Sequence, residues 1–375
     1  MTAGPTVPWL SPDSEDLLAA AVGLGDDLSA TMAALERLPA ELGAGTTTLV
    51  VAGMGGSAVA GEVLQAVAAS RSSLPVVLVN SASAPLFLGP TTLLFAVSFS
   101  GQTEETLAVA QAALSAGAPV VALTGGGALA ALVSDGAGVV VKPPPGPQVS
   151  QPRAAAGAVA ARLLLVCEQL GFIGGVTADL VAACRQLEIR SRELAAGGGI
   201  AAEVARQIGR TIPVFHGASG LGAVAARRWK TQVNENAKAP AYFGVQPEVC
   251  HNEVCGFGQH GDVTRQVLTL VNLHLGTEDA NLTRRFELFA ELTSEALARV
   301  VDVQSEGDGE LARFFDLVMI GDLVSLHLAA REGIDPGPVP TLVELKERLT
   351  PASSGRQVEG GIPAQAGSPP APRRR

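Results

Sequence analysis

Basic residues are in short supply: 26 Lys and Arg stand against 36 Asp and Glu over 375 residues, a net charge of −10. Holding a nucleic-acid backbone takes a basic face, and none is visible, so nucleic acid is excluded as the main partner. Aromatic residues are almost as scarce, at 4%, with one Tyr and two Trp. An interior without them must be built from Ala, Val, Leu and Gly, which suits helices packed on parallel strands better than a β-sandwich. Four cysteines, Cys167, Cys184, Cys250 and Cys255, are too few to staple a chain of this length and are expected to stay reduced. The first twenty residues lack both a basic start and a long apolar run, so no export signal is read and a cytoplasmic location is the expectation. An uncharged stretch from Thr106 to Ser134 has the length of a membrane span. Pro119 and the Gly125-Gly126-Gly127 run break it, and no membrane partner is expected.

What is present is enough apolar material, 47% of the residues, for two ordinary domains or one large α/β unit. A helix is expected from Asp13 to Leu38. From Thr46 short apolar runs alternate with glycine-bearing turns and helical stretches: strands near 46–52, 75–79, 93–97, 119–124 and 138–141, which make a parallel set. Pro143-Pro144-Pro145-Gly146-Pro147 marks a boundary. Helices follow to about Gln207, and then Ile212 to Ala226 repeats the strand, small-residue turn and helix of Val50 to Gly61. A strand at 267–275, helices at 278–292 and 314–331, and a last helix from Thr341 to Leu349 complete the ordered part. The division expected is a helical segment 1–43, an α/β domain 44–147, a second one 148–350, and a disordered tail 351–375 rich in Pro, Gly and Ser.

Chemistry gathers at three places. Ser98-Phe99-Ser100-Gly101-Gln102-Thr103 follows a buried strand and opens a helix, where free N–H groups and hydroxyls together suit a phosphate monoester. The competing reading is a plain N-cap by Ser100 or Thr103. Gly53-Met54-Gly55-Gly56-Ser57, after a neighbouring strand, supplies a second turn of the same kind. It has neither the Gly-x-Gly-x-x-Gly spacing nor a following Gly-Lys-Ser/Thr, so nucleotide binding is not favoured. The third place runs from Ala225 to Phe257. Ala225, Trp229 and Val233 recur at helical spacing, which sets Glu235 in the last turn of a helix that Pro240 ends. Taken alone, Glu235 reads as a surface carboxylate paired with Lys238. His251 follows sixteen positions later in His-Asn-Glu. Cys250, His251, Glu253 and Cys255 offer zinc ligands on paper, but with no Cys-x-x-Cys and no His-x-His their spacing is poor and no metal is expected.

Together, Gly-Met-Gly-Gly-Ser-Ala at 53–58, Ser-x-Ser-Gly-x-Thr-Glu-Glu-Thr at 98–106, Pro-Arg-Ala at 152–154, Asn-Glu-Asn-Ala-Lys at 234–238 and His-Asn-Glu at 251–253 resemble the sugar isomerase (SIS) family. More narrowly, the chain resembles the bifunctional phosphoglucose/phosphomannose isomerases, in motif order over about residues 15–349. The resemblance implies two doubly wound parallel-sheet SIS domains with a helical C-terminal segment, a homodimer, and neither metal nor other cofactor. It implies that Gly56, Ser57, Ser98, Ser100 and Thr103 hold a sugar phosphate. Glu235 would be the base moving a proton between C1 and C2, and Arg153 the cation beside the enediolate. His251, from the partner subunit, and Lys346 would help open the sugar ring. Gln102 and Phe99 stand where the family more often has Asn or Asp and Tyr, which leaves the hydroxyl donors intact. The expected activity interconverts glucose 6-phosphate or mannose 6-phosphate with fructose 6-phosphate. The alternative is a non-catalytic SIS protein that senses a sugar phosphate, against which the absence of a basic recognition helix counts.

Overall fold

The computed structural model describes residues 9–144 and 151–349, and the chain divides between Pro338 and Val339 into two units. The larger unit contains two sheets. Strands β1 (Thr48–Ala52), β2 (Val76–Val79), β3 (Thr92–Val97), β4 (Val120–Leu123) and β5 (Val139–Val141) form the first, in the order β2-β1-β3-β4-β5. Strands β6 (Ile212–Ala218), β7 (Tyr242–Gln246), β8 (Leu268–His274) and β9 (Arg299–Gln304) form the second, in the order β7-β6-β8-β9. Each described pairing is parallel. In both sheets the first strand lies between the second and third, so the direction of winding reverses beside β1 and again beside β6. Such reversals open a crevice at the carboxyl ends of the strands, where ligands of open α/β sheets bind.

Burial explains why these apolar runs are strands buried on two faces. Leu49, Val51, Leu93, Phe95 and Val97 point to one face and join the main core. Val50, Ala52, Leu94 and Ala96 point to the other and form a second cluster with the helices Glu104–Ser115 and Gly127–Asp135. Alternate residues face opposite sides of a strand, so a run with no polar residue demands cover on both.

The helix Leu221–Asn236 packs on the second sheet through Trp229, 1% exposed, whose ring meets Phe215 of β6 edge-on at 5.4 Å. Trp229 Nε1 donates to Leu317 O at 2.8 Å, on the helix Glu310–Arg331. A Cβ at Gly321 would stand 2.3 Å from that nitrogen, so glycine is required for the two helices to approach this closely. These contacts fix the rotation of the helix that ends in Glu235.

Two features differ from the sequence reading. The helix expected at Asp13–Leu38 is two, Leu17–Val22 and Leu24–Ala34, parted at Gly23. Strands β7 and β9 replace stretches in which no strand was expected. Both lie at sheet edges, where β7 exposes Tyr242 and Phe243 and β9 turns Arg299, Asp302 and Gln304 to solvent. The stretch from Thr106 to Ser134 is helix, β4 and helix, and no described helix is long and apolar enough to cross a membrane. The boundary after Pro144 and the tail at 351–375 lie outside the described residues. In the smaller unit the described element is the helix Pro340–Leu349.

Candidate active site

At the reversal of the first sheet the turns after β1 and β3 stand side by side. Gly55, at φ +54, turns β1 into the sixteen-residue helix Gly56–Arg71, whose first turn carries no acid. Its exposed N–H groups and the partial positive charge of the helix end favour an anion. The Ser57 side chain is half-buried and forms no hydrogen bond among the described residues. Across from it, Thr103 begins the helix Glu104–Ser115 without a side-chain capping bond. Its hydroxyl instead shares a 2.9 Å hydrogen bond with Ser98 Oγ. The N-cap reading of this turn therefore does not account for its hydroxyls. Ser98 is 1% exposed and also accepts from Gly101 N at 3.1 Å, so it braces the turn from beneath, while Ser100 is exposed on it.

The turn is buttressed by Gly125-Gly126-Gly127. Gly125 N donates to Phe99 O at 3.2 Å and Leu129 N to Gly101 O at 2.9 Å. Gly101, at φ +68, comes so near that a Cβ there would stand 1.9 Å from Gly126 O.

Arg153 reaches the same place from the other side. A Cβ at Gly56 would lie 3.4 Å from Arg153 Cα and Pro152 O, so the β1 turn rests on the Pro-Arg backbone. The guanidinium is nearly immobile. Nε donates to Asn236 Oδ1 at 2.8 Å, Nη1 to Gln151 Oε1 at 2.7 Å, and Nη2 to Pro336 O at 2.7 Å and Gly337 O at 2.9 Å. Four of its five N–H groups are thus committed. Nη1 lies 3.7 Å from Glu235 Oε2, an ion pair too long for a hydrogen bond. Arg153 is 5% exposed and Glu235 36%, so the cation is fixed and the acid open. Burial draws the Arg153 guanidinium below its ordinary value, against the pull of Glu235, Glu15 and Asp322. Arg228 donates through both Nη1 and Nη2 to Arg153 O at 3.2 Å, and is itself paired with Asp322 at 2.6 Å. The main chain and side chain of Arg153 are therefore held by separate groups.

Lys238, at φ +55, does not pair with the Glu235 carboxylate as helical spacing suggested. Its Nζ donates to the Glu235 main-chain oxygen and, at 3.0 Å, to Pro336 O. Partial burial and the Arg153 charge lower its pKa. Asn236, by contrast, showed in the sequence only as a letter of the Asn-Glu-Asn-Ala-Lys motif. Gln151 stands two residues before Arg153, yet nothing in local spacing shows that its side chain turns onto the guanidinium.

His251 is exposed, and its side chain makes no hydrogen bond or ion pair among the described residues. Glu235 precedes β7 and His251 follows it, so a five-residue strand, about 17 Å long, lies between them. Within one chain they are not brought together. Their neighbours also diverge: Glu253 Oε1 lies 3.2 Å from Nε2 of the buried His216, and Cys250 Sγ donates to Gln246 Oε1. No group of three or more possible metal ligands occurs among the described residues. Lys346 stands exposed on the helix of the smaller unit.

Two parallel sheets with this winding, and serine- and glycine-rich turns at the reversal, define an SIS-type protein. A solved C-terminal domain of glucosamine-fructose-6-phosphate aminotransferase from Francisella tularensis has the same fold, with a TM-score of 0.66 at 14% identity over 85% of this chain and 96% of that one. The model of the bacterial phospho-glucose isomerase C-terminal SIS domain matches residues 199–349. A bifunctional phosphoglucose/phosphomannose isomerase of Caldicellulosiruptor bescii is 33% identical over 80% of this chain and 89% of its own length. One from Thermoplasma acidophilum is 32% identical over 81% and 90%. The chain belongs to the family of bifunctional phosphoglucose/phosphomannose isomerases. It is a sugar-phosphate isomerase, and the reading as a non-catalytic sensor finds no support among these relatives.

Proposed function

We propose that the protein interconverts glucose 6-phosphate and mannose 6-phosphate with fructose 6-phosphate through a cis-enediol, with its own side chains and no metal. The observation that carries this reading is the pair of Glu235 and Arg153, an open carboxylate 3.7 Å from a clamped cation, against the phosphate-type turn at Gly56.

A proton on carbon next to a carbonyl is weakly acidic, so its removal needs a base in contact and positive charge where the oxygen turns negative. Glu235 takes the C2 proton of the aldose, the C2 electrons form the C1–C2 double bond, and the carbonyl oxygen becomes the enediolate oxygen facing Arg153. A proton passes from the C2 hydroxyl to the C1 oxygen, and returning the first proton to C1 then closes the C2 carbonyl and gives the ketose. The two aldoses differ at C2, which is planar in the enediol, so turning of that intermediate in the site leads to either. The phosphate rests at Gly56, Ser57, Ser100 and Thr103, with Ser98 holding the turn in shape. The division follows these roles: residues 44–147 hold the phosphate and 148–350 move the proton.

Ring opening falls to His251 and Lys346. Because β7 separates His251 from Glu235, the histidine serves the site of a partner subunit in a homodimer, which fits its exposure and that of Tyr242 and Phe243 on β7. The four free cysteines suit the cytoplasm.

Turnover from mannose 6-phosphate and from glucose 6-phosphate, measured in EDTA, tests the proposal. Both are expected to react, and Glu235→Gln to lose about 10²- to 10⁴-fold in kcat with the fold intact. Loss of activity in chelator would overturn the metal-free reading. Near-normal turnover by the variant would remove Glu235 as the base.

A further inference from the structure

Away from this site, Arg162 lies in the middle of the helix Ala156–Gln169 and is 5% exposed. Among the described residues its guanidinium makes no hydrogen bond or ion pair. Its five donors cannot be given up by deprotonation, since burial lowers its pKa only to about 10. A largely buried cation without a protein partner is costly to keep, and its nitrogens are not among the fully enclosed unpaired atoms of the described residues, so what exposure it has opens on the space around it.

Two cavities meet at this side chain. One, of about 60 Å³, is lined by Phe99, Thr124 and Gly125. The other is a groove of about 660 Å³ that reaches Thr31, Arg37 and Lys142. Thr31 Oγ1 is also buried without a partner. Arg37 and Lys142 are exposed on the groove, with Glu36 near them. Asp27 lines the smaller cavity without forming an ion pair with Arg162, and burial and Asp26 raise its carboxyl pKa. Arg153, Glu235 and Gly56 line neither cavity. Phe99, however, belongs to the phosphate turn, and Gly125 bonds to its carbonyl, so this space lies directly behind that turn.

We propose that these cavities form a second anion site, in which a small organic oxyanion engages the Arg162 fork and Thr31 hydroxyl and extends along the groove towards Lys142 and Arg37. The planar guanidinium favours a ligand with two oxygens in reach, as phosphate monoesters and carboxylates share. A volume of several hundred Å³ suits a metabolite larger than a simple ion.

The experiment is calorimetric titration of the full chain with its active site filled by sorbitol 6-phosphate, which has no carbonyl to isomerise. Inorganic pyrophosphate is the probe in one arm and citrate in the other, to tell phosphate from carboxylate preference. At least one is expected to bind, Arg162→Met to weaken it tenfold or more, and Lys142→Ala severalfold. Methionine replaces an unpaired buried charge by an apolar chain of similar length, so the fold is expected to survive. If it does not, the surface double variant R37A/K142A decides, with the same tenfold loss expected. Binding of neither probe, or binding unchanged in these variants, would overturn the proposal. Turnover is not read, so failure here leaves the isomerase reading untouched.

Discussion

Arg153 shows how much of a site can depend on one side chain's surroundings. Its charge alone would serve an enediolate from many positions, but four fixed N–H bonds leave it one direction, toward Glu235. Preorganisation of this kind avoids reorientation while charge develops. His327 is the opposite case, a buried imidazole that stays neutral. It stacks on Trp9 with ring centroids 3.9 Å apart, its Nε2 has no partner, and burial lowers its pKa from 6.5 to about 4. The unfolded chain takes up this proton below about pH 6.5 and the native one only near 4, so stability present above that range is lost as pH falls through it. The expected loss between pH 7 and pH 5 is about 2 kcal/mol from this residue. Denaturant titrations at the two pH values check it: His327→Phe should flatten that part of the slope, and an unchanged slope would acquit the histidine.

At the scale of elements, the phosphate turn depends on its neighbour. The loop after β4 presses against the turn after β3, and glycine at 101 and 127 is what lets main chain meet main chain. Gly101→Ala combines a backbone at φ +68 with a Cβ 1.9 Å from Gly126 O, so one of the loops must move. The expected result is a KM for sugar phosphate raised about tenfold or more with a smaller change in kcat, since the Glu235–Arg153 pair proposed to move the proton lies on other elements. Steady-state kinetics separate the two. A fall in kcat alone would place the turn's role in the chemistry instead.

For the whole molecule, the consequential fact is that Glu235 and His251 stand at opposite ends of β7. If each serves a different pocket of a homodimer, mixing two inactive variants restores activity. Glu235→Gln and His251→Ala subunits, unfolded together and refolded at equal amounts, should give about a quarter of wild-type turnover, because half of the dimers are mixed and each mixed dimer holds one intact site. Activity no higher than that of either parent would remove His251 from the partner's pocket.

The same contrast marks what was legible beforehand. The first sheet was readable because its strands are uninterrupted apolar runs between glycine turns, a pattern that burial on both faces enforces locally. Edge strands β7 and β9 escaped because an edge strand keeps polar or aromatic residues outward and resembles a loop. The two phosphate-type turns and Glu235 were legible because strand-turn-helix grammar and helical periodicity are short-range properties. Asn236 and the carbonyls of Pro336 and Gly337 were not, since their partner Arg153 is 83 to 184 positions away, and Gln151, two positions from it, was not because packing sets which way its side chain turns.

The sequence by itself determined the α/β class, the repeated strand-turn-helix unit and the family, because each is written in local spacing and in motif order. Only the tertiary structure decided which residues share a site. It brought Arg153 to Glu235 and Gly56 across a helical layer and set a strand between Glu235 and His251. Proximity in a folded chain is fixed by packing between distant segments, and sixteen positions can equally turn back on themselves or, as here, run the length of a β-strand.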